Sequence, residues 1–236
     1  MSVHRSALAV YAVVLVVAFC GILLALFAYH GPDESSGRDY INRGVGDTGA
    51  VNLVSAIYLN YRLYDTLFEI LVFSVAVLGV RFYLTDQRAS DVVESVPESH
   101  VVRRSADLLF PLILIFAVYL VVFGHLSPGG GFSGGAVAGS GLLLCSVALG
   151  AGVVARRFHE RVLERLEWTA LLAILLLALL PLLAGRPALY DLLPRGTPGR
   201  VASGGSILLY NLLIGFKVFV GTWVIIHFFI RHRGEI

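Results

Sequence analysis

The sequence predicts an all-α integral membrane protein with about six transmembrane helices. The chain of 236 residues is 57% hydrophobic and 14% charged, with a mean hydropathy of +0.82, whereas about a quarter of the residues in a soluble domain are charged. Apolar stretches close to the roughly 20 residues that cross a bilayer recur along the chain. These stretches are continuous rather than alternating, which favours helices over a closed barrel.

Six apolar stretches are long enough to span a membrane. The first is too long for a signal peptide, so we expect it to remain in the mature chain. Most arginines fall in the segments that share a side with the N-terminus, and the positive-inside rule therefore predicts that both termini are cytoplasmic. The predicted spans lie near 7–29, 63–83, 108–124, 135–154, 168–184 and 206–230.

The spans divide into two predicted modules. Residues 1–84 form a two-helix module and residues 108–236 a four-helix module. Between them, residues 85–107 mix acidic residues, arginines and a proline, which indicates a cytoplasmic linker. Within the second module, residues 156–167 (RRFHERVLERLE) place opposite charges three apart, which predicts a short exposed helix joining the fourth and fifth spans.

A polar stripe precedes and enters the second span. Tyr58, Arg62, Asp65 and Glu69 advance by 4, 3 and 4 residues, so a regular helix places all four on one face. A straight helix over residues 51–83 would be about 50 Å long, which is too long for one crossing. The membrane part is therefore predicted to begin near residue 63, with Asp65 near the outer interface and Glu69 one turn deeper.

Two interpretations of this stripe are open. Arg62 and Asp65 could form an interfacial salt bridge that stabilises a helix end, since charges at the interface cost little. Alternatively, Asp65 and Glu69 contribute to an ion or proton path. Desolvation favours the neutral form of a carboxyl group, and a carboxyl group inside a span generally faces protein or water.

Lys217 is the only lysine of the chain and lies near the middle of the last predicted span. A central lysine costs about 2.5–3.5 kcal/mol on insertion scales, so it requires a partner or a wet cavity. We consider two roles for Lys217: a proton relay paired with an acidic residue, either Glu69 or one from a neighbouring protein of the complex, and a lysine whose stem reaches bulk water.

A glycine-rich tip (residues 124–135, GHLSPGGGFSGG) interrupts the apolar run between the third and fourth spans. Residues 108–154 would form a helix of about 70 Å, so the chain must turn, and a proline followed by three glycines provides the break. The tip has no charged residue, and its histidine titrates near neutral pH in the usual case. We expect either a compact outer turn or a backbone that another subunit or an ion approaches closely, with these candidate residues: His125, Pro128, Gly129, Gly130, Gly131, Phe132, Gly134 and Gly135.

These residues resemble a known family. The segment HLSPGGGFSGG at 125–135, preceded by LFPLIL at 109–114, resembles the MnhB (MrpB) component of Mrp-type multisubunit cation/proton antiporters and its counterpart in membrane-bound hydrogenase-type complexes, over about residues 101–236. Separately, YRLYDTLFE at 61–69 resembles the C-terminal end of the MrpA component, or the small E-type component of hydrogenase complexes. The chain differs from these patterns at Asn60, Leu63, Phe68 and Leu126.

The resemblance implies a subunit with no activity of its own, in the cytoplasmic membrane of a bacterium or archaeon, assembled with other membrane subunits of an Mrp-type or hydrogenase-like complex. In such complexes Na⁺ and H⁺ are transported ions rather than cofactors. The alternative is a structural or coupling subunit of a respiratory complex. The sequence has no phosphate-binding loop, metal-ligand spacing or Ser-His-Asp set, so we expect no catalytic residue, metal, cofactor or nucleic-acid partner.

Overall fold

The computed structural model describes residues 13–14, 16–24, 37–85, 100–149, 154 and 160–231. All regular elements among these residues are helical, as predicted. Residues 16–24 belong to a helix inside the first predicted span, and the rest of that span lies outside the described residues. The named elements are α1 (Gly37–Thr48), α2 (Leu53–Ala56), a π-helix (Ile57–Tyr61), α3 (Leu63–Thr85), α4 (His100–Val122), α5 (Gly131–Leu149), α6 (Glu160–Leu183) and α7 (Ser206–Arg231).

Five helices in the described part of the chain are long and apolar enough to cross a membrane. They match five of the predicted spans, with different boundaries at some ends. The helix α4 begins at His100, inside the predicted linker, and α5 begins at Gly131, so its first turn includes part of the glycine-rich tip. The candidate spans are Leu63–Leu84, His100–Val122, Gly131–Leu149, Arg165–Leu183 and Ser206–Phe229.

The last helix is the centre of the bundle. It packs against α3, α4, α5 and α6, and Lys217, Trp223 and Ile214 on it are among the most completely buried side chains. Burial of an apolar side chain stabilises the fold by about 1.5–3 kcal/mol in water, but in lipid close packing takes over this role. The two predicted modules therefore share one core, because α3 of the first packs directly on α7 of the second.

The inner face of α3 shows how this helix is oriented in the bundle. Leu63, Ile70, Val77 and Leu84 recur every seven residues and are all buried, which is the spacing that keeps one helix face against a partner. The opposite face is exposed in the isolated chain. The position of each polar residue relative to this heptad spacing therefore determines whether it turns outward.

The end of the bundle that carries the glycine-rich tip is covered by α1 and by the loop at residues 184–205. The Leu189 backbone N–H donates to the carbonyl of Ala178, and the Arg195 Nη1 donates to the carbonyl of Gly46 over 3.3 Å. Gly49 has a φ of +74°, and a Cβ there would collide with the Arg195 carbonyl. These contacts close the tip end of the bundle with residues of the same chain.

Candidate functional site

The exposed face of α3 carries three charged residues. The Arg62 Nε lies 2.6 Å from the Asp65 Oδ2, with the two side chains 53% and 36% exposed. Glu69 follows one turn later and is also exposed. Among the residues that the structure describes, Glu69 has neither a hydrogen bond nor an ion pair. The interfacial salt bridge between Arg62 and Asp65 is therefore confirmed, and Glu69 is left with its charge uncompensated within the described part of the chain.

The polar stripe is divided by the π-helix at Ile57–Tyr61. A π-helix has more residues per turn than an α-helix, and the chain then breaks at Arg62, whose φ and ψ are −125° and 38°. The Thr66 hydroxyl donates to the Tyr58 carbonyl over 2.6 Å and satisfies a group freed by the break. The prediction that Tyr58 shares a face with Arg62 and Asp65 is wrong, because the 4, 3, 4 spacing assumed an uninterrupted α-helix.

Tyr58 turns toward the glycine-rich tip instead. Its hydroxyl oxygen lies 3.4 Å from the carbonyl oxygen of Gly129. Burial raises the pKa of the Tyr58 hydroxyl above its usual value, and the negative charge of Glu69 adds to that rise. The hydroxyl therefore stays neutral and lies within the electrostatic range of Glu69.

Lys217 is paired inside the bundle. Its ammonium Nζ lies 2.9 Å from the Glu167 Oε1, and the two side chains are 1% and 10% exposed. The same Nζ lies 4.8 Å from the centroid of the Phe73 ring, a distance at which a cation is attracted to an aromatic face. The ammonium thus links α7 to α6 and α3. A lysine whose head reaches bulk water is excluded by its burial.

Glu167 corrects two expectations. We predicted a solvated connector at residues 156–167, but α6 begins at Glu160 and Glu167 is buried. We also considered Glu69 or a neighbouring protein as the source of the partner of Lys217, whereas the carboxylate comes from Glu167 of this chain. The local charge pattern of the connector concealed a residue whose partner lies 50 positions away.

The glycine-rich tip is a compact turn held by Asn52. The Asn52 amide donates to the carbonyls of Gly124 and Ser127 over 2.7 and 2.9 Å, and its backbone N–H donates to the carbonyl of His125 over 3.0 Å. The Asn52 side-chain oxygen also caps α2. This residue of the first predicted module therefore fixes the turn that joins α4 to α5.

His125 is completely buried beneath this turn. Its Nε2 lies 3.4 Å from the Arg200 carbonyl, its Nδ1 has no hydrogen-bond partner among the described residues, and its ring lies against the position of Gly204. Pro128 is half-buried, and Phe132 packs against the core. Of the two expectations for the tip, the structure shows the compact turn.

The close approach predicted for the tip glycines is made by the helices of this chain. A Cβ at Gly130 would collide with the Tyr58 hydroxyl, and one at Gly131 would lie 2.7 Å from the Asn211 carbonyl oxygen. A Cβ at Gly135 would lie 2.6 Å from the Gly215 carbonyl oxygen. The α5 glycines therefore let its backbone touch α7, as small residues do in membrane helices.

Gly129 and Gly134 face α4 in the same way. A Cβ at Gly129 would lie 2.8 Å from the Leu120 carbonyl oxygen, and one at Gly134 would lie 2.8 Å from the Ala117 carbonyl oxygen. The Gly130 N–H donates to the Leu120 carbonyl over 2.9 Å. The tip thus closes the α4–α5 hairpin tightly on both sides.

Asn60 has a local role at the start of α7. The Asp191 Oδ1 accepts hydrogen bonds from the backbone N–H groups of Leu193 and Ser206, each over 3.1 Å, and Asn60 Nδ2 lies 3.5 Å from Asp191 Oδ2. An anionic group at a helix N-terminus is stabilised by the helix dipole. The amide of Asn60 donates to this carboxylate, whereas an aspartate there would repel it.

Three site residues were missed from the sequence: Glu167, Asn52 and Asn211. Asn211 is fully buried, and its Oδ1 accepts a hydrogen bond from the Gly131 N–H over 2.9 Å at the start of α5. A signal for Glu167 existed, because a buried lysine requires a carboxylate and Glu167 directly precedes an apolar span. The two asparagines act on loops distant in sequence, and no local pattern marks them.

Comparison with known proteins agrees with this architecture. A family model described as a domain related to the MnhB subunit of Na⁺/H⁺ antiporter matches residues 101–224. The chain is 31% identical to a chain of the membrane-bound sulfane sulfur reductase, an archaeal respiratory membrane complex. The alignment covers 96% of this chain and 98% of that one, with a TM-score of 0.74.

Other relatives are longer or uncharacterized. The chain is 28% identical over 195 residues to an uncharacterized protein of Methanocaldococcus jannaschii, covering 72% and 73% of the two chains. It is 25% identical over 162 residues to a probable K(+)/H(+) antiporter A/B protein of Rhizobium meliloti, which is 58% of this chain and 16% of that protein.

The Mrp complex of Dietzia sp. DQ12-45-1b contains a chain with the same fold. The identity is 24% and the TM-score 0.66, and the alignment covers 98% of this chain but 26% of that chain. Together with the apolar helices, these relatives identify a multi-pass protein of a prokaryotic cell membrane. Because the matching family model covers more than half of its residues, the chain belongs to the family of domains related to the MnhB subunit of Na⁺/H⁺ antiporters.

Proposed function

We propose that this chain is a membrane subunit of an Mrp-type cation/proton antiporter module, in which Glu69 contributes to the ion or proton path. The Arg62–Asp65 pair lies at the end of that path, one turn before Glu69. The chain has no exchange activity alone and no catalytic role of its own. Na⁺ or K⁺ and H⁺ are the ions that the assembled module exchanges.

The observation that carries this proposal is the contrast between two carboxylates within the candidate spans. Glu167 is neutralised by Lys217 at 2.9 Å, whereas Glu69 has no counter-charge in the described part of the chain. A fixed ion pair holds helices together, but an uncompensated carboxylate is available to a proton or a monovalent cation. We therefore assign Lys217 and His125, both fully buried, to packing rather than to the path.

Replacing Glu69 with glutamine tests the proposal. The change removes the negative charge and keeps the shape, so we expect the purified complex to assemble normally and to lose at least about 90% of its exchange, or about 1.4 kcal/mol in rate terms. Exchange is measured as cation-driven pH change in proteoliposomes, with Na⁺ and with K⁺. The matched control is Asp39→Asn in α1, outside the candidate spans, which should leave exchange unchanged. Full exchange by the Glu69→Gln complex would contradict the assignment.

A second function has its own support. The match to a chain of the archaeal sulfane sulfur reductase complex runs over nearly the whole of both chains, which favours a structural or coupling subunit in a respiratory complex. In that case Glu69→Gln leaves cation/proton exchange intact, and removal of the chain disrupts assembly and electron transfer together. Identification of the proteins that purify with the chain separates the two functions, because a redox protein would accompany the second.

A further inference from the structure

One face of α3 is left uncovered by the described part of the chain. Glu69, Val72, Val75, Gly79 and Phe82 advance by three or four residues, and most of this face is exposed, so they form one continuous strip. A Cβ added to Gly79 would meet no atom within 4 Å. We call these five residues the α3 outer strip. It is apolar except for the carboxylate near one end.

Lipid is a poor neighbour for this strip. Glu69 lies about 9 Å inside the helix from Leu63, at 1.5 Å per residue, within the candidate span Leu63–Leu84. A charge at the centre of a span costs about 2.5–3.5 kcal/mol when it faces hydrocarbon. The carboxylate therefore needs a polar or charged neighbour that this chain does not supply among its described residues.

A second copy of the chain is also a poor neighbour. In a two-fold symmetric contact the same strip meets itself, which would bring Glu69 beside a second Glu69 and place like charges together in a medium of low dielectric. The strip has no lysine, arginine or histidine with which to pair. Charge complementarity thus selects a different protein with a basic side chain.

We propose that the α3 outer strip is the docking surface for a transmembrane helix of another protein of the complex, and that this helix places a lysine, arginine or histidine beside Glu69. The proposal deepens the proposed function and rests on the assembly that it requires. Val72, Val75 and Phe82 provide the apolar contact, and Gly79 lets the backbone of the partner helix approach closely. The basic side chain offsets the negative charge of Glu69 when no proton or cation is bound.

Photo-crosslinking in the intact complex tests this surface. The probe is p-benzoylphenylalanine, placed at Val72 or Val75 and, as a control, at Ile115 on α4. Val75 and Ile115 are both 67% exposed, so they differ in the helix face and not in accessibility. We expect a protein adduct at Val72 or Val75 that maps to a transmembrane helix with a basic residue within about one turn of the crosslink.

Three results would overturn the proposal: only lipid adducts at Val72 and Val75, an adduct between two copies of this chain, or a partner helix without lysine, arginine or histidine in its span. When a basic residue is mapped, exchanging it with Glu69 provides a second measurement. We expect Glu69→Lys alone to reduce the yield of intact complex at least about tenfold, which is about 1.4 kcal/mol, and the reciprocal acidic change in the partner to restore it.

The same crosslinked complexes separate this proposal from the ion path. Glu69→Gln keeps the apolar strip, so the adduct at Val75 should persist whatever happens to exchange. An adduct with unchanged exchange removes the ion path and keeps the docking surface. Loss of exchange in Glu69→Gln, without any protein adduct at Val72 or Val75 in the parent complex, removes the docking surface and keeps the path.

Discussion

Changing Glu167 to leucine is expected to destabilise the chain by about 3–5 kcal/mol, because the Lys217 ammonium would remain buried without its counter-charge. Lys217→Met should be destabilising for the same reason, since it leaves the Glu167 carboxylate unpaired. The double variant removes both charges and replaces them with apolar side chains of similar size. We expect it to be more stable than either single variant.

The measurement is thermal or denaturant unfolding in detergent for all four proteins, read as a double-mutant cycle. The matched control is the Arg62–Asp65 pair, which is shorter at 2.6 Å but exposed. Its removal by Arg62→Gln should not measurably change the unfolding temperature, because solvent already screens exposed pairs. Single variants at Glu167 and Lys217 whose effects simply add in the double variant would contradict a buried, coupled pair.

The second large effect is expected at the contact between α5 and α7. Gly131→Ala places a methyl group 2.7 Å from the Asn211 carbonyl oxygen and 2.8 Å from the Ile214 Cβ. Both neighbours are on the central helix and neither is the flexible end of a side chain. The helices must separate, so we expect a loss of about 1–3 kcal/mol or more from overpacking.

The control for this change is Gly46→Ala in α1, where an added Cβ meets nothing within 4 Å. Alanine has a higher helix propensity than glycine, so Gly46→Ala should leave the unfolding temperature unchanged or slightly raised. Both variants are compared by thermal unfolding in detergent and by yield of the assembled complex. Equal stability of the Gly131→Ala and Gly46→Ala proteins would show that the two helix backbones are not in contact at the tip.

The membrane helices were predictable because hydrophobicity and length are properties of continuous segments. The predicted start of the second span at residue 63 matches α3, since the interruption before it left a run of polar residues that could not enter lipid. The turn at Pro128 followed from the length of the apolar run. The glycine contacts were predictable in kind, although not in partner, because only a close approach explains several glycines in sequence.

The site was less predictable because its contacts join distant segments. The partner of Lys217 is Glu167, on a helix whose first residues have the charge pattern of an exposed connector. The π-helix at Ile57–Tyr61 has no simple sequence pattern, and it moved Tyr58 away from Arg62 and Asp65. Asn52 and Asn211 hold the tip from two different modules, which no local periodicity reveals.

Carbodiimide labelling of Glu69 in the intact complex is the most direct measurement of the central claim, that this carboxylate is open to protons and cations within an assembly. A hydrophobic carbodiimide reacts with a protonated carboxyl group in a membrane, and mass spectrometry locates the adduct. We predict an adduct on Glu69 that increases as the pH falls and decreases when Na⁺ or K⁺ is added. Absence of labelling at Glu69, or labelling that neither cation changes, would contradict the claim.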